Sequence, residues 1–264
     1  MSKAQFIRGF WGDINSFSGK YRDQISKSFT LKDELTYVYG STNNYFIEEK
    51  FKRTTTVVSA YEYDYRLAVN HTLFDHKSLL HKLKIIQLAM NDFDEVIYLD
   101  WDMEQVKEVD DTFYKTFEGF DLQVPLYCYP IDELDKLVES DDNRRYYLFF
   151  TKLKNYLKQH AWIRNDSYVI PNTGFFYCND KKIIDELFKI AKSRQLQTVP
   201  DELSVLFYAK ELGLDIDGYI NHFEPTVISG KDCGSESWNQ KGKLLEEFIE
   251  EVKQAPKDVY FKHV

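Results

Sequence analysis

The segment Tyr98-Leu99-Asp100-Trp101-Asp102-Met103 determines how the chain is interpreted. It closes a short apolar run that starts after Glu95, and an apolar run of this length is typical of a buried strand. The strand therefore delivers two carboxylates, Asp100 and Asp102, at its C-terminal end, where ligands bind in open α/β sheets. Neighbouring carboxylates repel each other and lose solvation unless a cation joins them. The pair predicts a site for a hard divalent metal ion, and the alternative is two solvated acids that end a strand.

Strand and helix patterns alternate on both sides of this segment. No linker rich in Gly, Ser or Pro and no internal repeat divides the 264 residues, so we expect one domain. The alternation predicts an α/β sandwich with a mainly parallel central sheet. The predicted strands are residues 4–10, 35–39, 55–60, 95–99, 122–129, 168–178 (interrupted at 171–174) and 259–264, and the predicted helices are residues 78–91, 146–160, 181–194, 202–212 and 244–252.

Composition and charge exclude several classes of protein. Hydrophobic residues make up 43% of the chain, which supplies a core and excludes a disordered chain. The formal net charge of −9 does not favour a dedicated duplex-DNA binder, because phosphate contacts require a basic surface. No apolar run is long enough for a membrane span, and the N-terminus lacks the apolar core of a secretory signal. The three scattered cysteines favour reduced thiols, so we expect a cytoplasmic protein.

Two enzyme classes place an Asp-x-Asp pair at the end of a strand. Haloacid-dehalogenase-type phosphatases open their domain with it, but here the pair lies far into the chain and Glu104 stands where those enzymes have Thr or Val. The chain instead resembles nucleotide-sugar glycosyltransferases of the GT-A fold, of the glycogenin and lipopolysaccharide galactosyltransferase type. In these enzymes a nucleotide-binding α/β half precedes the pair, and the helix before it carries basic residues, here Lys82 and Lys84.

Three later segments extend the resemblance. Residues 169–179, with Asn172-Thr173-Gly174 at their centre, are similar to the family's Asn-Ser/Thr-Gly segment. Pro200-Asp201-Glu202 is similar to its Asp-Gln-Asp helix start, although Glu202 departs from that pattern. Residues 259–263 resemble a late strand that ends in a metal-binding histidine, here His263. Four motifs in the right order agree better with this family than any one of them does alone.

The resemblance implies a fold, a reaction and a division of the chain. It implies a Rossmann-like GT-A α/β/α sandwich over residues 1–264, with a nucleotide-binding part at about 1–103 and an acceptor and metal-completing part at about 104–264. It also implies transfer of a sugar from a nucleoside-diphosphate sugar, UDP-linked, with retention of configuration. The acceptor stays open between a glycan, a protein, a small molecule and a modified DNA base. A non-catalytic nucleotide-binding domain with this fold is an alternative, because fold does not imply function.

The resemblance also implies roles for individual residues. A histidine beside two carboxylates favours Mn²⁺ over Mg²⁺ as the bound ion. His222 is the alternative to His263 as the third metal ligand. Each group of candidate residues also has a purely structural alternative. The aromatic residues near the end of the first strand could pack in the core. The lysines could lie on a solvated helix face, and the acids at residues 201–202 could simply cap a helix. The expected metal ligands are Asp100, Asp102 and His263; the expected donor-binding residues are Phe10, Trp11, Gly12, Lys82, Lys84, Asp100 and Thr173; and the expected catalytic, sugar-facing residues are Asn172, Asp201 and Glu202.

Overall fold

The elements of the fold come from a computed structural model. It describes residues 4–11, 34–39, 56–61, 76–100, 103–105, 107–139, 147–194, 196, 199–223, 228–229 and 260–263. The described strands are β1 (Gln5–Trp11), β2 (Leu35–Tyr39), β3 (Thr56–Tyr61), β4 (Val96–Leu99), β5 (Met103–Gln105), β6 (Leu122–Gln123), β7 (Leu126–Pro130), β8 (Trp162–Arg164), β9 (Ser167–Pro171), β10 (Phe175–Cys178), β11 (Ile228–Ser229) and β12 (Phe261–His263). The described helices are α1 (His76–Ala89), α2 (Asp111–Lys115), α3 (Ile131–Glu139), α4 (Tyr147–His160), α5 (Lys181–Ser193), α6 (Pro200–Glu211) and α7 (Ile216–His222).

The largest sheet in the described part of the chain has six strands in the order β3-β2-β1-β4-β10-β6. The strands β3, β2, β1 and β4 run parallel, and only β10 runs against its two neighbours. The prediction of a mainly parallel central sheet is therefore confirmed. The chain winds outward from β1 to β3 and then returns to β4 on the other side of β1. This reversal brings the C-terminal ends of β1 and β4 side by side, and open α/β sheets bind ligands at such a switch point.

The strand β4 is apolar throughout because both faces of the sheet are covered. Val96 and Tyr98 pack with the helices α1, α5 and α6 on one face. Ile97 and Leu99 pack in a second cluster on the other face. Since successive side chains of a strand point to opposite faces, a central strand needs an unbroken apolar run. This packing fixes the position at which the run ends, and Asp100 is the first residue beyond it.

The second face is covered by aromatic rings centred on Phe113 of α2. Its ring centroid lies 6.0 Å from that of Phe6 in β1, 5.6 Å from that of Phe261 in β12 and 5.1 Å from that of Tyr260. The Tyr260 hydroxyl donates to Asp110 Oδ1 over 2.7 Å. The strand β12 also pairs antiparallel with β5, which follows the Asp-Trp-Asp segment. The last described strand therefore packs against the main sheet through aromatic rings, and its main-chain hydrogen bonds join it to β5 and β11 in a separate three-stranded sheet.

Two predicted strands are each divided in the structure. The prediction at 122–129 was wrong about continuity, because Pro125 lacks the N–H that a ladder needs, and β6 and β7 belong to different sheets. The prediction at 168–178 correctly placed its interruption, but β9 joins an antiparallel sheet, ordered β7-β9-β8, while β10 joins the main sheet. Asn172-Thr173-Gly174 is the connection between the two sheets.

The short elements were missing from the predictions. Helices α2 and α7 begin after Asp110 and Asp215, whose side chains accept hydrogen bonds from Phe113 N and Gly218 N. These capping residues start a helix of one or two turns, which is too short to show a hydrophobic period. The predicted helix at 244–252 lies outside the described residues. None of the helices in the described ranges has the length and apolarity that a membrane crossing requires.

Removing the central ring of the aromatic cluster tests this packing. Phe113→Ala should lower the free energy of unfolding by about 3–5 kcal/mol, because it leaves a cavity among rings from three elements. Leu212→Ala, at a half-exposed position after α6, should change it by no more than about 0.5 kcal/mol. Urea denaturation followed by tryptophan fluorescence measures both values. Equal losses in the two variants would contradict the packing described here.

Candidate functional site

A buried ammonium group stands between two carboxylates at the C-terminal edge of the main sheet. Lys82 Nζ, from α1, lies 2.9 Å from Asp100 Oδ2 and 2.9 Å from Asp201 Oδ2. The side chains of Lys82 and Asp201 are 5% and 3% exposed, whereas that of Asp100 is 27% exposed. The three groups come from a helix, a strand end and a second helix. Asp100 is therefore the member of this cluster that a ligand in solvent reaches first.

The turn between β9 and β10 completes the cluster. The Thr173 hydroxyl donates to Asp201 Oδ2 over 2.6 Å and accepts from Lys82 Nζ over 3.1 Å. The main chain of the same turn is fixed, because Gly174 N donates to Asn172 Oδ1 and the Gly174 carbonyl accepts from Asp100 N over 2.8 Å. Thr173 is itself fully buried. Its hydroxyl therefore orients Asp201 and Lys82.

Burial and charge act in opposite directions on Lys82. Burial disfavours the ammonium form, but the carboxylates of Asp100 and Asp201 outweigh it and hold the pKa of Lys82 well above its usual value. Because folding raises this pKa, the stability that the charge adds is present at every pH below the ordinary value for lysine. This contribution to stability is lost only as the pH rises through the raised pKa of Lys82. Burial, followed by the charge of Asp100, also raises the pKa of Tyr98, so this neighbouring phenol stays neutral.

Asp201 is presented by the first turn of α6. The preceding residue, Val199, has φ 39° and ψ 56°, a left-handed conformation that is strained for a β-branched residue. Pro200 then occupies the first helical turn, where its missing N–H costs nothing. The positive end of the helix favours the carboxylates of Asp201 and Glu202. Glu202, the next residue after Asp201, is half-buried.

The structure describes the ends of the acidic segment and not its middle. Trp101 and Asp102 lie outside the described residues. On its C-terminal side β5 begins at Met103, and the register of β5 with β12 sets His263 opposite Met103. The described chain thus brings residue 263 within one position of the predicted acid pair. His222, the alternative ligand, belongs to α7, and its ring packs against Phe120 and Phe223.

The other predicted donor-binding residues divide between this edge and other places. Phe10 and Trp11 lie in the last two positions of β1, next to the switch point, and Gly12 lies outside the described residues. Lys84 donates to Gln87 Oε1 over 2.6 Å, and Gln87 in turn bonds Asp185 of α5. Lys84 therefore faces α5, and of the two lysines the structure brings only Lys82 to Asp100.

Sequence analysis missed a second buried cation, Arg8, in β1. Its Nε lies 2.5 Å from Glu34 Oε1, and both side chains are almost completely buried. Its other nitrogens donate to the carbonyls of Asp100 and Met103. An arginine within the apolar run Phe6–Phe10 was the available signal, since a charge at an inward position of a central strand requires a buried partner.

Solved structures provide the comparison. Mouse xyloside xylosyltransferase 1, in its apo form, matches with a TM-score of 0.54 and 8% identity, and the match covers 100% of this chain and 98% of that one. The chain has a glycosyltransferase fold of the GT-A type. The bifunctional glycosyltransferase WbbM matches at a TM-score of 0.46 with 12% identity, over 100% of this chain and 46% of that one. The glycosyltransferase GlyE of Streptococcus pneumoniae TIGR4 matches at 0.47 with 12% identity, over 99% and 54%.

The chain spans about half the length of WbbM and GlyE. No protein-family model matches the chain, and no curated protein sequence matches it. At 8% identity the likeness to the xylosyltransferase establishes the glycosyltransferase fold and leaves donor, metal and acceptor to be argued from this chain's own residues.

Two lysines on one helix provide a matched test of the cluster. Lys82→Met leaves Asp201 buried without its cation, so we expect the free energy of unfolding to fall by about 3–5 kcal/mol. Lys84→Met removes a half-buried contact with Gln87 on the same helix and should cost less than about 1 kcal/mol. Urea denaturation at neutral pH compares them. The buried cluster would be refuted if Lys84→Met cost as much as Lys82→Met.

Proposed function

We propose that the chain is a metal-dependent glycosyltransferase. In this proposal it transfers a sugar from a UDP-sugar to an acceptor, with retention of anomeric configuration, in the cytoplasm. The observation that carries the proposal is the cluster of Lys82, Asp100, Thr173 and Asp201 at the switch point of a GT-A fold. The edge where this cluster lies is the one where open α/β sheets bind nucleotides. Retention follows from the resemblance to the glycogenin type.

The nucleotide half of the donor is assigned to the ends of β1 and β4. Phe10 and Trp11 end β1, and Asp100 follows β4 in the neighbouring position of the sheet. A base or ribose placed against the end of β1 would set the diphosphate over Asp100. The cation of Lys82, 2.9 Å from the Asp100 carboxylate, lowers the electrostatic cost of bringing phosphates to this edge.

We assign a divalent ion to this edge of the sheet. Asp100 is partly exposed, Asp102 is two residues further along the chain, and the β5–β12 register brings His263 to the same segment. Two carboxylates and an imidazole suit Mn²⁺, with Mg²⁺ as the harder alternative. Such an ion, when bound, supplies charge that stabilises the departing diphosphate. In this proposal the three side chains are the protein's ligands to that ion.

The sugar half of the donor is assigned to the turn 172–174 and the start of α6. Asp201 Oδ2 is shared by Lys82 and Thr173, which leaves Oδ1 to accept from a sugar hydroxyl. Asn172 Oδ1 is occupied by Gly174 N, so its Nδ2 is the group that donates to the sugar. Both side chains are fixed by internal bonds before any ligand binds. Fixed polar groups of this kind orient a sugar without paying for their own ordering.

The acceptor class remains open in this proposal. A glycan, a protein, a small molecule and a modified DNA base are all hydroxyl-bearing acceptors, and the net charge of −9 disfavours the last. The cytoplasmic location is supported by Cys128 and Cys178, which are buried thiols. Burial raises the pKa of the Cys178 thiol to about 12, so it is not a reactive group.

Turnover of a donor panel tests the proposed reaction. UDP-, GDP- and CMP-sugars are incubated with the protein and Mn²⁺, and nucleotide release is measured. We expect slow UDP release that chelation by EDTA abolishes, and an NMR spectrum of the product that shows the anomeric configuration of the donor. Release of phosphate from monoesters would instead favour a phosphatase, and no turnover with retained UDP binding would favour a non-catalytic domain.

The acid pair provides the first mutational prediction for this function. Asp102→Asn should reduce UDP release by at least about a hundredfold while leaving the folded state intact, because it removes a ligand charge and relieves carboxylate repulsion. Asp92→Asn, at an exposed acid after α1, is the matched control and should release UDP at the wild-type rate. Activity near wild type for Asp102→Asn in saturating Mn²⁺ would contradict the assignment of the metal site.

The two candidate histidines provide the second mutational prediction for this function. In the presence of UDP, His263→Ala should weaken Mn²⁺ binding by about 10–100-fold, because it removes one ligand of the ion. His222→Ala, on α7, should bind Mn²⁺ as wild type does. Titration calorimetry measures both. The third ligand would be reassigned to His222 if only that variant lost affinity.

A further inference from the structure

Arg8 is a buried cation for which the proposed reaction provides no role. It lies in the middle of β1, two residues after Phe6, and therefore on the sheet face that carries the aromatic cluster, opposite to α1. It forms an ion pair with Glu34, just before β2, and the two side chains are 0% and 1% exposed. A buried ion pair costs desolvation energy, and apolar residues of similar volume often stabilise a protein as well or better. Stability is therefore a weak explanation for this pair.

The guanidinium of Arg8 binds the two ends of the acidic segment. Nη1 donates to the Asp100 carbonyl over 2.5 Å, and Nη2 donates to the Met103 carbonyl over 2.9 Å. The Asp100 carbonyl also accepts from Met103 N over 3.1 Å. Thus one side chain links the main chain on both sides of Trp101-Asp102. Glu34 Oε1 lies 2.5 Å from Nε and forms an ion pair with the same guanidinium.

The geometry requires an arginine. A guanidinium presents several donors in a rigid plane, so it can bond two carbonyls and a carboxylate at once with fixed angles. A lysine ammonium at the same position carries the charge as a single point on a flexible stem. It can neutralise Glu34, but it cannot span both carbonyls in the same way.

We propose that Arg8 is a positioning residue that ties the main chain of Asp100 to that of Met103 and so holds the Asp100 carboxylate in the position in which it binds a divalent cation. The proposal rests on the proposed function for the identity of the ligand. Its structural part, that Arg8 fixes the main chain of Asp100 and Met103, stands without it. Residues that orient metal ligands typically change metal affinity by about 10–100-fold when they are replaced.

The first measurement needs no ligand. Amide hydrogen exchange, followed by mass spectrometry, is compared in wild type and in the double variant Arg8→Met/Glu34→Met, which exchanges the ion pair for apolar side chains. We expect the peptide that contains Met103 to exchange at least about tenfold faster in the variant, because two charge-assisted bonds to this segment are lost. Peptides from α5 should be unchanged. The matched control is Arg164→Met/Asp217→Met, which removes an ion pair of 2.8 Å between β8 and α7.

The second measurement is Mn²⁺ binding in the presence of UDP, by titration calorimetry. We expect the double variant to bind Mn²⁺ about 10–100-fold more weakly, and saturating Mn²⁺ to restore most of kcat in the transfer assay. Arg8→Lys keeps a cation beside Glu34 and serves as the second variant if the double variant does not fold. It should exchange faster at Met103 and bind Mn²⁺ more weakly than wild type, while the control pair matches wild type.

The outcomes separate this proposal from the proposed function. Unchanged exchange at Met103 in a folded Arg8 variant overturns the positioning role, and so does wild-type Mn²⁺ affinity in that variant. If wild type binds neither Mn²⁺ nor UDP, the proposed function fails, and so does the metal-related role of Arg8. Faster exchange in the variants would then show only that Arg8 fixes the segment.

Discussion

One buried ammonium group constrains the arrangement of the candidate site. Lys82 Nζ is enclosed by the protein, so its charge has to be balanced inside it, and Asp100 and Asp201 provide that balance at 2.9 Å each. Burying a charge without partners would cost far more than the protein's net stability. The helix α1, the end of β4, the turn 172–174 and the start of α6 therefore have to meet at this point. The position of Asp201 and the burial of Thr173 follow from that requirement.

Asp100 is held through every polar group it carries. Its carboxylate binds Lys82 from one face of the sheet, its carbonyl accepts from Arg8 on the other face, and its amide donates to the Gly174 carbonyl in the turn before β10. These partners come from three different elements. A residue fixed in this way has its geometry set before a ligand arrives, and preorganised groups of this kind are the ones that stabilise developing charge most effectively. Its side chain is 27% exposed, whereas those of Lys82 and Asp201 are 5% and 3% exposed.

The local hydrophobic pattern of the sequence was sufficient to predict the helix that carries Lys82 and the strand that precedes Asp100. The apolar run before Asp100 and the period of Leu79, Leu83, Ile86 and Met90 predicted β4 and α1, because each element buries an extensive apolar surface. The pattern could not choose between Lys82 and Lys84, since a small rotation of the helix decides which side chain faces the sheet. It also missed Arg8, whose charge contradicts the apolar strand around it and is balanced by Glu34, a residue distant in the sequence. The pairing of β5 with β12 joins residues 103 and 263, and no local period carries information on such a register.

Diffraction at the manganese absorption edge, from crystals soaked with Mn²⁺ and UDP, tests the central claim most directly. The account predicts a single strong anomalous peak within bonding distance of the Asp100, Asp102 and His263 side chains, with the UDP diphosphate beside it over the C-terminal ends of β1 and β4. Bound UDP at another edge of the sheet, or a manganese peak away from Asp100, Asp102 and His263, would contradict it.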